Sequence, residues 1–118
     1  MEVKTIDILI RKFYALSVGA HVAHVNTKSF AAHEALGDFL AKVNDTKDRL
    51  IEYHIGERRI VKVSASIIEV GENIEMEASA LAEMFCNYAK GIADEAMINL
   101  SGEFEESVGK LKFFLMLS

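Results

Sequence analysis

No proline occurs anywhere in the 118 residues of this chain, so nothing in it obliges a helix to kink or stop. Punctuation falls to glycine and to polar turns. Gly56, Gly71 and Gly91, together with the polar run Asn26-Thr27-Lys28-Ser29, divide the chain into four segments. The first, about Thr5 to Val25, places Ile6, Ile10, Phe13, Leu16, Ala20 and His24 three or four apart, as one face of a helix requires. The second starts from a Ser29 cap and runs to Gly56, with Phe30, His33, Leu36, Leu40, Val43 and Leu50 on one broad side. Asn44-Asp45-Thr46 is its weak point, where the side chains compete for the backbone, but a continuous helix is expected.

From Ile60 to Ile67 apolar residues alternate with Lys62, Ser64 and Ser66, a two-residue period that suits an extended crossover. A helical stripe returns at Ile74, Ala78, Leu81, Phe85 and Tyr88 and ends before Gly91. Asp94 is then placed to cap a last helix carrying Met97, Leu100, Phe104, Val108, Leu111 and Leu115. The expected fold class is all-α, one domain over residues 1–118. Two helical hairpins joined by a longer crossover between the second and third helices make a ferritin-like four-helix bundle.

Composition narrows the functional classes. With 51% apolar and 26% charged residues the chain has ordinary globular content and should fold. No apolar run approaches the roughly 18 residues of a membrane span, and no signal-peptide series opens the sequence. The single cysteine, Cys86, cannot form an internal disulfide and reads best as a small core residue, which fits a reducing, cytoplasmic setting. A net charge of −5, with no basic cluster larger than Arg58-Arg59, argues against nucleic acid as a partner. The apolar pairs Met84-Phe85 and Phe113-Phe114 exceed what one helical stripe buries, so one member of each is expected to meet another chain.

Chemistry concentrates in the first two helices. His21, His24 and His33 surround the turn between them, and His21 and His24 are three apart, where imidazoles share a face. The alternative for a histidine at a helix end, His21 above all, is contact with terminal carbonyls or packing. Asp38, Asp45, Asp48 and Glu52 make an acidic stripe on the second helix. Such a stripe is either a solvated face relieved by Lys42, Lys47 and Arg49, or a set of oxygen ligands for a cation. Imidazole with carboxylate suits iron or another divalent metal, and thiolate ligation within one chain is excluded. The Glu-x-x-His pairs of a di-iron centre inside one bundle are absent from this sequence. Glu103, Glu105 and Glu106 are expected to face water.

The series His21-Val22-Ala23-His24, then Phe30-Ala31-Ala32-His33-Glu34, then Asp48-Arg49-Leu50-Ile51-Glu52 resembles the first two helices of the Dps-type mini-ferritins. The likeness runs from about Leu9 to Gly56, with a loose echo at Asp94-Glu95-Ala96. The resemblance implies a homo-oligomer with at least a twofold interface, where His24 and His33 of one chain meet Asp48 and Glu52 of another at a ferroxidase-type site for iron, one ion or a di-iron pair. Glu52 would bridge and Asp48 would complete the ligand set, with His21 and Asp45 as neighbours. This chain has Val25 where the family commonly has Trp, and a shorter turn. Those departures favour the alternative, a non-catalytic helical oligomerisation or adaptor protein on the same fold.

Overall fold

The computed structural model describes residues 4–59, 63 and 69–118. It contains four helices, α1 (Thr5–Asn26), α2 (Phe30–Gly56), α3 (Ile74–Gly91) and α4 (Glu95–Leu117), and no strand among the described residues. The expected alternation over Ile60 to Ile67 lies almost wholly outside those residues. Each helix packs on two neighbours, in the cyclic order α1, α2, α4, α3. Gly19, near the end of α1, lies against Ile74 at the start of α3, while Thr5 shares a surface with Tyr88 and Ile92 at the end of α3. Helices α1 and α3 are therefore antiparallel. The salt bridge Arg49–Glu103 and the hydrogen bond Tyr53–Asp94 fix α2 and α4 as antiparallel in the same way.

It follows that α2 ends and α3 begins at opposite ends of a body 43 Å long. Helices α2 and α3 therefore run in the same direction, and the two hairpins α1–α2 and α3–α4 pack as an all-α four-helix bundle. All four sides of the square then join antiparallel helices.

The core is aromatic at its centre. Phe13, Phe85 and Phe104 are fully buried, with Phe13 edge-on to Phe85 at 5.6 Å between ring centres and 5.0 Å from Phe104. Truncating any of them to alanine should cost about 3–5 kcal/mol. The expected stripes of α1, α3 and α4 lie on this core except for His24, which turns to His33 instead, and α2 needs a larger correction. Phe30 is 74% exposed and His33 is exposed, while Phe39, outside the expected face, is buried against Phe104. An α2 stripe that starts at Leu36 and includes Phe39 faces the core; Phe30 sits in the first turn, beyond its reach.

Local chemistry explains the helix ends. The Ser29 hydroxyl accepts from Ala32 N–H and the Asp94 carboxylate from Met97 N–H, so both expected caps form. Asn44 does not break α2, because its side chain is occupied elsewhere: its carbonyl oxygen accepts from Ser17 on α1 at 2.7 Å and from Lys47 at 3.2 Å. Gly56 and Gly91 mark the ends of α2 and α3, as expected, though not through a left-handed backbone: they are the last helical residues, and neither has a positive φ. The left-handed positions are Arg58 (φ 59°) and Ala93 (φ 51°), two residues further on. At each, the backbone closes the same paired turn: Arg59 N–H to His54 C=O with Arg58 N–H to Ile55 C=O, and Asp94 N–H to Ala89 C=O with Ala93 N–H to Lys90 C=O.

Candidate metal centre

The turn between α1 and α2 brings His24 and His33 together. Their rings stack with centres 3.8 Å apart and planes 21° from parallel. Each Nδ1 is bonded to the other residue's main chain, His24 Nδ1 to His33 C=O at 2.7 Å and His33 Nδ1 to His24 C=O at 2.8 Å. A carbonyl only accepts, so both Nδ1 atoms carry the proton, and in the neutral ring both Nε2 atoms hold the lone pair. Fixing the tautomer through a carbonyl is what a metal-ligating imidazole commonly requires of its surroundings. The three-residue turn is short enough to impose this arrangement, and Gly37 permits it: a β-carbon there would lie 2.8 Å from His24 Cε1. Gly37 gave no signal in the helical pattern, yet it is the position where α2 lets the ring approach.

The carboxylates lie elsewhere. Asp48 follows His33 on α2 by fifteen residues, about 22 Å along the axis at ~1.5 Å per residue. Asp38, Asp45, Asp48 and Glu52 are all exposed, and Asp45 pairs with Arg49 at 3.6 Å. Arg49 also reaches Glu103 on α4 at 3.0 Å. Glu103, Glu105 and Glu106 are exposed, as expected of residues facing water. His21 is exposed one turn before His24. Among the described residues of one chain, no three His, Cys, Asp or Glu side chains gather to hold a metal ion. Within one chain the paired imidazoles and the carboxylates of α2 are thus separate groups.

A second polar cluster occupies the opposite end of the bundle, around a histidine that the helical pattern did not single out. His54 is fully buried. Its Nδ1–H donates to Leu50 C=O at 2.8 Å, which leaves Nε2 to accept the Tyr88 hydroxyl at 2.9 Å. Burial holds the imidazole below its ordinary pKa and pushes the Tyr88 phenol up. Beside it, Arg59 forms a salt bridge with Asp94, whose carboxylate also accepts from the Tyr53 hydroxyl at 3.2 Å. The Arg59 hydrogen bond is the main cause that keeps Asp94 below the usual carboxylate range. Apart from the His54–Leu50 bond within α2, these contacts join the end of α2 and the residues after it to α3 and to the α3–α4 turn. Their role is to close that end. The sequence cue would have been His54 standing four residues after Leu50, with its ring on the core side of α2.

Cys86 is half-buried between α3 and α4, its Sγ 3.6 Å from Ser101 C=O. No described helix is long and apolar enough to cross a membrane. The chain matches no protein-family model, no curated protein and no solved structure.

Proposed function

We propose that this four-helix bundle binds iron at a site shared between two copies of the chain and oxidises Fe(II) there. His24 and His33 of one copy supply nitrogen ligands; Asp48 and Glu52 of the other supply oxygen. The observation that carries the reading is the reciprocal Nδ1–carbonyl bonding, which commits one nitrogen of each ring to the fold and leaves both Nε2 atoms for a cation. The donor set fits Fe(II), which accepts imidazole and carboxylate together. Glu52 and Asp48, one turn apart and exposed on α2, offset the charge of the ions. In the reaction each ferrous ion gives up one electron to dioxygen or peroxide.

The test uses two defective variants. His24→Ala/His33→Ala and Asp48→Ala/Glu52→Ala are each expected to lose Fe(II) oxidation and iron binding. Refolded together, mixed dimers place both intact halves at one interface and both damaged halves at the other, so roughly a quarter of the sites recover under random pairing. Activity that stays at background after verified subunit exchange would reject the shared site.

A second reading, a helical oligomerisation or adaptor protein without metal chemistry, draws on the exposed apolar residues at the histidine end. Wild-type protein purified without chelator that retains no iron and binds none on titration would decide for it.

A further inference from the structure

Between α1 and α3, at the end of the bundle where α3 begins, lies a cavity of about 150 Å³ with Leu16, Leu81 and Met84 in its walls. The segment just before α3 roofs it. Gly19 lets that segment down onto α1, since a β-carbon there would stand 3.5 Å from Val70 and 3.7 Å from Gly71 C=O. At Gly71 the fit is closer still, because a β-carbon would fall inside the Glu77 carboxyl group. The Glu77 side chain is thus folded against the Gly71 backbone, and its carboxylate is held at the roofed end.

Among the described residues three charged side chains line the cavity: Lys12, Glu69 and Glu77. Glu69 is two residues from Gly71, so both carboxylates belong to the roofed end. Lys12 stands on α1 seven residues before Gly19, about 10 Å further along the bundle at ~1.5 Å per residue. Side chains lean toward the N-terminus of their own helix, so on antiparallel α1 and α3 Lys12 and Glu77 lean away from each other. Among the described residues none of the three takes part in an ion pair. Opposite charges therefore stand at the two ends of one cavity with apolar side chains between them. A half-buried carboxylate without a partner is costly, and a ligand with complementary ends relieves it.

We propose that this cavity binds a linear amino carboxylate, a zwitterion with an ammonium at one end, a carboxylate at the other and an unbranched apolar stem. Glu77 and Glu69 accept hydrogen bonds from the ammonium, Lys12 donates to the carboxylate, and the stem lies along Leu16, Leu81 and Met84. An alkylamine would leave Lys12 without a partner, and a fatty acid would leave both carboxylates facing its methyl end. The cavity shares no lining residue with the proposed iron site and is independent of it.

Isothermal titration of the full chain with ε-aminocaproate, hexylamine and hexanoate tests the assignment. The zwitterion is expected to bind at least tenfold more tightly than either analogue, since each analogue makes only one of the two charge-assisted contacts. Lys12→Met should weaken ε-aminocaproate about tenfold and leave hexylamine unchanged; Glu77→Gln should weaken both and leave hexanoate unchanged. Neither side chain is buried, so circular dichroism should show wild-type helical content in both variants. No saturable binding of ε-aminocaproate at millimolar concentration, or equal affinity for all three compounds, would overturn the proposal. So would binding that both substitutions leave untouched, which would place the ligand elsewhere on the chain. Fe(II) binding should be the same in both variants as in wild type, so failure of the iron site and failure of this one are read separately.

Discussion

Where α2 and α3 finish, polar side chains turn inward and meet one another; where they begin, apolar side chains turn outward into solvent. At the first end His54 and Tyr88 are joined under the core, and Asp94 gathers Arg59 and Tyr53. At the second, Phe30, Phe113, Met116 and Leu117 stand exposed around the stacked His24 and His33. A buried hydrogen-bonded group is costly to alter because its partner is stranded, whereas an exposed apolar group costs the monomer little. The contrast separates what this chain spends on its own stability from what it leaves for others.

The sharpest way to break the contrast is to delete its most buried polar member. His54→Ala should destabilise the fold by about 3 kcal/mol, through a cavity and an unpaired Tyr88 hydroxyl, whereas Phe113→Ala should change monomer stability by less than about 0.5 kcal/mol. Urea denaturation of both variants checks the pair; similar losses would erase the distinction between the ends.

Next in size is Gly37, which belongs to the histidine end but is packed like a core position. Gly37→Ala should cost about 1–3 kcal/mol because the new methyl group displaces the His24 ring. The Hε1 proton of His24, followed by NMR, should lose the upfield shift that stacking on His33 produces.

Acid should act on the polar end in two steps of the same sign. His54 titrates lower in the fold than in the unfolded chain, so its contribution is complete above the ordinary histidine pKa of about 6.5 and is lost as pH falls below that value toward the depressed one. Asp94, also depressed, holds its contribution until pH falls below the ordinary carboxylate value of about 3.9. His54→Gln, whose amide oxygen can still accept from Tyr88, should remove the first decline and keep the second in pH-dependent thermal unfolding.

The smallest expected effect is a gain. Ala93 holds a left-handed conformation that an L-residue adopts at a cost of roughly 1–2 kcal/mol. Part of that returns as backbone entropy when glycine replaces it, so Ala93→Gly should stabilise by about 0.5 kcal/mol, read as a small rise in Tm.

Much of the fold was legible because it is written locally. Helical periods over ten or more residues placed α1, α2, α3 and α4, and the Ser29 and Asp94 caps act on N–H groups three residues away. Gly56 and Gly91 correctly marked the ends of α2 and α3, but nothing in the sequence singled out Arg58 and Ala93 as the left-handed residues two positions later, just before Arg59 and Asp94, which pair across the bundle. His54 was overlooked because its meaning depends on Tyr88, 34 residues later and on another helix. The His24–His33 contact was within reach of sequence reasoning, since a three-residue turn leaves little choice about which residues face one another. The remainder of the proposed metal site was not, because no single chain brings Asp48 and Glu52 to those imidazoles.

The alternating direction of the four helices has an electrostatic consequence. Each helix carries a dipole equivalent to about half a charge at either terminus, and here every terminus has neighbours of opposite polarity around the square. The fields largely cancel beyond the first turn of each helix. Neither end of the bundle is thereby cathodic or anodic by construction, so the sign that an approaching ion or protein meets is written by side chains alone. A few substitutions among Glu34, Asp38, Lys110 and Lys112 could therefore reverse it without disturbing the backbone.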